Sequence, residues 1–162
     1  MEYKKSAKDG QMYLVRKVGN SQDAAEYLAD IANRLESLIK QYVAKYPQSE
    51  ESKRLFENFD KHNISEGSVE SGYTSYSVNK GERIVLCIRQ KDDSFVDKNI
   101  VMYVAIHELA HLGLKSIGHG PEFWDFFKKL LLEAVEFGLY TKVDYSTNPQ
   151  PYCGIKITHS VI

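Results

Sequence analysis

The 162-residue sequence predicts an α+β fold in which a small antiparallel or mixed sheet packs on three main helices. Long stretches carry apolar residues at spacings of three and four, which is typical of amphipathic helices. Shorter β-rich runs are separated by turns that contain Asn and Gly. The composition, 43% hydrophobic and 27% charged, is that of an ordinary globular protein and excludes a disordered chain.

The length fits one domain, and we expect residues 1–162 to form it. Within that domain, the sequence favours a helical N-terminal part over residues 1–70, a central core over residues 73–138 and a β-rich tail over residues 139–162.

The first two helices are predicted from caps and breakers. Asn20 or Ser21 can cap a helix that ends near Pro47, and Ser49 can open a shorter second helix. The apolar face of the first helix consists of residues three or four positions apart, namely Leu28, Ile31, Ala32, Leu35, Leu38, Ile39, Tyr42 and Val43. This stripe indicates a surface that faces the core.

Strands are predicted in four places. Residues 12–18 form a short apolar-rich run, and residues 63–72 are polar and predicted to be a loop. Residues 73–78 and 83–89 are expected to pair as a hairpin through the turn at 79–82. The tail alternates around residues 155–157, which indicates at least one further strand.

Two further helices follow the hairpin. Asp97 can cap a helix over residues 98–112 that is apolar almost all round, so we expect it to be buried. The last helix is predicted to start at Pro121, a residue suited to the first helical position, and to end near Gly138.

The buried helix contains the motif H-E-x-x-H at residues 107–111. His107 and His111 are four residues apart, so their side chains lie on one helical face and can bind one Zn²⁺. Glu108 points to the side of the metal and can take a proton from water, which is the chemistry of metal-assisted hydrolysis. The alternative is that both histidines are satisfied core residues and the glutamate lies on the surface.

A catalytic zinc site needs a third protein ligand and an open fourth position. His119 is the favoured third ligand, because Gly113 and Gly118 let the chain turn back toward the motif. Its alternative is a helix-capping or solvent-exposed histidine. Rival third ligands are the glutamates of the last helix, namely Glu122, Glu133 and Glu136.

Such a site often includes a donor that stabilises the oxyanion of the transition state. The tail offers four candidates, Tyr140, Tyr145, Tyr152 and His159, and the sequence does not choose among them. His62 and His159 lie outside the motif and are not expected to bind the metal.

With these residues in place, the chain resembles the zinc peptidases of the SprT-like and WLM (Wss1-like) families over roughly residues 73–130. The run H-G-P-E-F at 119–123 is similar to the third-ligand segment of SprT-like proteins. Trp124 directly after Phe123 is similar to the H-x-x-x-F-W pattern of WLM proteins, and the strand-like run over 79–89 resembles the strand before their zinc helix.

The resemblance implies a compact, minimal gluzincin-like metallopeptidase domain whose zinc site lies in the 73–138 core. It implies Zn²⁺ bound by His107, His111 and His119, with Glu108 as general base. It also implies a link to proteolysis of proteins crosslinked to DNA.

Three functions are compatible with these residues. The favoured one is a zinc endopeptidase whose protein or peptide substrate pairs with strand 83–89 as an edge strand. The second is a metal-dependent hydrolase of a small peptide or amide. The third is a structural or interaction module whose zinc is closed by four ligands, with Cys87 or Cys153 as the fourth.

The net charge and the cysteine content limit which partners and which cellular compartment we expect. The net charge of −1 gives no bulk attraction to nucleic acid, and the basic residues near the N-terminus are interpreted as solvated surface rather than a DNA site. Cys87 and Cys153 are interpreted as unpaired thiols in a reducing compartment, with a single bridge as the alternative. Lacking a signal-peptide core and a membrane-length apolar run, the chain is expected to be an intracellular monomer, cytoplasmic or nuclear.

Overall fold

The computed structural model describes residues 1–68, 75–80, 83–153 and 155–162. These residues include four α-helices, each close to its predicted position. They are α1 (Ser21–Lys45), α2 (Glu50–Asn58), α3 (Lys98–Leu112) and α4 (Pro121–Glu136), and a short 3₁₀ turn covers Lys61–Asn63.

The strands of the described residues form three small sheets. β1 (Glu2–Lys5) pairs antiparallel with β2 (Met12–Val15), and β6 (Gln150–Tyr152) pairs antiparallel with β7 (Ile155–Ile157). The central sheet has the order β3–β5–β4, from β3 (Ile64–Glu66), β5 (Arg83–Leu86) and β4 (Tyr76–Val78). In it, β3 runs parallel to β5 and β4 runs antiparallel to it.

Three expectations about strands are corrected. β3 lies inside the segment predicted to be a loop, and β1 lies in the polar start where no strand was predicted. β5 has a partner on each side, so it is not an edge strand, and β4 takes the edge position. The predicted hairpin between β4 and β5 is confirmed, although residues 73–74 of its first strand, 81–82 of its turn and 69–72 of the predicted loop lie outside the described residues.

The core forms where α1, α3 and α4 pack on one another and on the central sheet. α3 is buried as predicted, since ten of its 15 residues are inaccessible. Among the described residues, no helix combines the length and apolarity needed to cross a membrane.

A buried ion pair joins segments that are distant in sequence. The Arg89 guanidinium is fully buried, and its Nε donates to Glu66 Oε2 over 2.7 Å. The backbone N–H of Arg16 donates to the other carboxylate oxygen over 2.8 Å. Asn20 is the N-cap residue of α1, as predicted, but its side chain accepts from Arg89 and donates to the carbonyl of Asp93 instead of capping the helix.

The two cysteines form a disulfide between Cys87 and Cys153, so the expectation of unpaired thiols is wrong and the bridge alternative is correct. The bridge ties the β6–β7 hairpin to the segment after β5. Next to it, the hydroxyl of the buried Tyr152 donates to the carbonyl of Cys87 over 2.7 Å. Neither sulfur is therefore free to act as a metal ligand.

Replacing Arg89 with methionine should lower the free energy of unfolding by about 3 kcal/mol, the lower end of the range for a broken buried ion pair, because Glu66 then keeps only the more distant Arg16, 3.8 Å away, as a charge partner. The double variant R89M/E66Q should recover part of this loss, since it replaces the buried carboxylate with a neutral amide while Arg16 keeps its hydrogen bond to the carbonyl of Gly67. Urea unfolding of the single and double variants measures both values. Arg83→Met, at an exposed position, serves as the control; a loss at Arg89 no larger than the control's would contradict this role.

Candidate metal centre

The H-E-x-x-H motif occupies the last turns of α3. The ring centroids of His107 and His111 are 5.2 Å apart, as expected for residues four apart on one helical face. Both rings are partly buried, and Glu108 between them is only 7% exposed. Glu108 is therefore not a surface glutamate, and the alternative that placed it there is wrong.

His119 lies on the loop that connects α3 to α4, and the loop returns it to the motif as predicted. Gly118, directly before it, has φ +100°, a conformation that side chains with a Cβ rarely adopt. Gly113 acts differently from the expectation, since its φ is −83°. A Cβ there would lie 2.4 Å from the ring of Phe126, so Gly113 permits close packing rather than an unusual turn.

The three histidines present one nitrogen each to a common point. These nitrogen atoms all lie within 4.8 Å of one another, and Nε2 of His111 is 3.1 Å from Nε2 of His119. Tetrahedral zinc with Zn–N bonds of about 2.0–2.1 Å would separate its ligand nitrogens by about 3.4 Å. The three imidazoles can therefore hold a metal ion with little movement.

Aromatic side chains of α4 support the imidazoles from one side. The ring of Phe123, itself 2% exposed, has its centroid 4.4 Å from that of His111, 4.8 Å from His119 and 5.0 Å from His107. The ring centroid of Trp124 lies 6.4 Å from that of His107 and 5.8 Å from that of His119. The F-W pair after the third histidine thus restricts the orientation of all three rings.

The electrostatic setting keeps His111 neutral. Burial lowers the pKa of His111 to about 4, Glu108 acts in the opposite direction, and the neighbouring His107, His119 and Lys80 lower it further. A neutral imidazole has a free lone pair, so metal binding at neutral pH does not require His111 to release a proton. Nδ1 of His107 lies 3.0 Å from Glu108 Oε2, a contact of the kind that fixes the tautomer of a metal ligand.

A cleft of about 530 Å³ opens in front of the histidines. It is lined by the three histidines and Glu108, together with Ile117 and Gly118 of the loop. The cleft is also lined by residues in and next to β4, namely Ser75, Tyr76, Ser77, Asn79 and Lys80. The sequence analysis did not assign these five residues to the site, because only the sheet order reveals that β4 is the edge strand beside the cleft.

None of the four candidate oxyanion donors lines this cleft. The hydroxyls of the buried Tyr140 and Tyr145 hydrogen-bond to each other over 3.2 Å. The Tyr152 hydroxyl contacts Ser75 Oγ over 2.5 Å as well as Cys87, and the ring of His159 lies 6.1 Å from Trp124. His62 pairs with Asp60 and is also outside the cleft, as expected.

The rival third ligands have other partners. Glu122 Oε2 accepts a hydrogen bond from Ser116, and both Glu133 and Glu136 pair with the ammonium group of Lys45. Of the His, Cys, Asp and Glu side chains that the structure describes, only the three histidines form a group able to hold a metal ion.

Fold and site together define an α+β domain with a three-histidine centre that could bind a metal. The family model of the WLM domain matches residues 7–148, and the chain belongs to this family. The WLM part of the resemblance seen in the sequence is therefore confirmed.

The sequence is similar to two viral proteins, and the fold is similar to that of a yeast protein. "Uncharacterized protein R325" of Acanthamoeba polyphaga mimivirus is 32% identical over 165 residues, covering 99% of this chain and 84% of its own length. "Uncharacterized protein 136R" of Invertebrate iridescent virus 6 is 36% identical over 80 residues, covering 48% of this chain and 44% of its own. The fold is similar to the crystal structure of Wss1 from Saccharomyces cerevisiae, with a TM-score of 0.59 and 21% identity over 78% of this chain and 89% of that one.

The metal-free protein should lose stability as the pH falls from about 6.5 to about 4. The folded state holds the pKa of His111 near 4, whereas in the unfolded chain it is about 6.5. In this interval the unfolded state binds the proton more readily, so acid favours unfolding. In urea unfolding with a chelator present, the free energy of unfolding should fall less steeply with decreasing pH for His111→Gln than for the native chain. Identical slopes would contradict the lowered pKa.

Proposed function

We propose that this protein is a zinc-dependent endopeptidase. The observation that carries the proposal is the convergence of three imidazoles on one point of a cleft that Glu108 also lines. Membership in the WLM family supports it, because the residues of the family's motif are the ones that converge.

Zinc is the ion that this donor set suits best. Three imidazoles without a thiolate form a ligand set of catalytic zinc sites, which keep their fourth position open. The cleft lies in front of the histidines and leaves space for that position. When bound, the ion supplies Lewis-acid chemistry, polarising the scissile carbonyl and lowering the pKa of water.

Glu108 is the proposed general base. Its carboxylate is held next to His107 at one side of the three nitrogens rather than among them. From there Glu108 takes a proton from the attacking water and delivers it to the leaving amine. His107, His111 and His119 would hold the ion, and the buried ring of Phe123 packs against all three imidazoles.

The substrate is proposed to be an extended peptide that pairs with β4. The earlier expectation that strand 83–89 receives the substrate is excluded, since β5 is central. Within the described residues β4 pairs with β5 alone, and its other edge is the one proposed to receive the substrate strand. An open cleft along a strand edge suits a polypeptide better than a small amide.

A role in proteolysis of DNA-linked proteins is proposed from family membership alone. The basic N-terminal stretch does not strengthen it, because Arg16 is 7% exposed and its Nε donates to the carbonyl of Gly67. Lys4 pairs with Glu2 on the same strand.

The structural-zinc alternative has lost its proposed fourth ligands. Cys87 and Cys153 are bonded to each other, and no other described His, Cys, Asp or Glu joins the three histidines. A centre with three protein ligands and a neighbouring carboxylate is suited to catalysis.

Replacing Glu108 with glutamine should reduce hydrolysis of a casein substrate by at least about 100-fold, since the amide cannot accept the proton. The zinc content should stay at the native level, because the three imidazoles are unchanged. Initial rates and zinc analysis of the same preparations measure both.

Glu57→Gln is the matched control, because Glu57 is an exposed carboxylate on α2 outside the cleft. It should retain the native rate. Equal rates for Glu108→Gln and Glu57→Gln would remove Glu108 from the mechanism.

A further inference from the structure

The three ligands differ in how firmly the fold holds them. His107 and His111 are anchored by a buried helix, whereas His119 is exposed and belongs to a loop whose residues 115–120 are all exposed. Ordering such a loop costs conformational entropy when a metal binds, unless other contacts already hold it. The affinity of the centre therefore depends on what fixes this loop.

Two polar contacts fix it, and both involve Ser116. The ammonium group of Lys80 donates to the carbonyl of Ser116 over 2.5 Å. The hydroxyl of Ser116 donates to Glu122 Oε2 over 3.1 Å, in the first turn of α4. The loop is thus held to α4 through Glu122 and to the residues that follow β4 through Lys80.

The backbone of that turn is specialised. Asn79 and Lys80 have φ of +46° and +57°, the left-handed region that non-glycine residues rarely occupy. The two residues directly follow the edge strand β4. The side chain of Lys80 therefore connects the strand proposed to bind substrate with the loop that carries a metal ligand.

We propose that Lys80 is a positioning residue for the metal centre, which holds the His119 loop to the turn after β4 through the carbonyl of Ser116. This inference rests on the proposed metal site. Its effect is to bring His119 close to His111 before the ion arrives, so that less order has to be created on binding.

Whether removing Lys80 weakens or strengthens zinc binding distinguishes a positioning role from simple charge repulsion. Lys80 is a cation that lines the same cleft as the three histidines. If only its charge mattered, removing it would strengthen the binding of a divalent cation. If it positions the loop, removing it weakens binding.

The experiment measures zinc affinity by competition with a chromogenic chelator for the native chain and three variants. Lys80→Met should bind zinc about tenfold more weakly, the lower end of the range for residues that orient metal ligands. Lys80→Arg should stay within about threefold of the native affinity, because a guanidinium can donate to the same carbonyl. Lys115→Met is the matched control, since it removes the same charge from an exposed position on the same loop.

Urea unfolding of the metal-free variants accompanies the titration, and Lys80→Met should remain folded with a midpoint close to that of Lys115→Met, because Lys80 is only partly buried. Zinc affinity unchanged or increased in Lys80→Met, or reduced equally in Lys115→Met, would overturn the positioning role while leaving the metal site intact. A native chain that binds no zinc would overturn the proposed function and this inference with it.

Discussion

The structure depends on keeping three polar side chains on one turn of an otherwise apolar, buried helix. His107, Glu108 and His111 would be costly to bury without partners. The fold meets this constraint by leaving one side of the turn open to the cleft and covering the other with the aromatic rings of α4. The surface on which α3 packs against α4 therefore also supports the site. A change on this surface of either helix affects both the packing and the site.

The centre combines a rigid part with an adaptable one. Two imidazoles belong to a helix that the core holds in place, and the third belongs to a short exposed loop. Leu114, which is 3% exposed, anchors the start of this loop in the core, and Pro121 begins the next helix. The loop can therefore adjust over only a few residues, which is a suitable compromise between preorganisation and access for an ion.

The sequence predicted the helices and the convergence of the three histidines well, because both depend on local spacing. The H-E-x-x-H motif and the apolar pattern around it placed α3 at residues 98–112, and the structure confirms those bounds. The sequence did not predict β3, a strand of three residues within a polar segment. β3 pairs in parallel with β5, which is distant in sequence. Short strands of this kind carry no periodic signal and exist because of their neighbours.

The sequence also could not predict features that depend on contacts between distant parts of the chain. The residues in and next to β4 that line the cleft belong to the site because β4, not β5, is the edge strand. The bond between Cys87 and Cys153 joins residues 66 positions apart, and with two cysteines in the chain spacing alone could not decide whether they meet. Arg89, which the sequence analysis placed at the end of a strand, is instead the buried partner of Glu66.

The central claim is that three imidazoles bind zinc and leave a fourth position to solvent. X-ray absorption at the zinc edge, on protein loaded with one equivalent of zinc, tests it most directly. We expect three imidazole nitrogens at about 2.0–2.1 Å and one further oxygen or nitrogen ligand from solvent. A sulfur ligand at about 2.3 Å, a fourth protein ligand, or fewer than three imidazoles would contradict it.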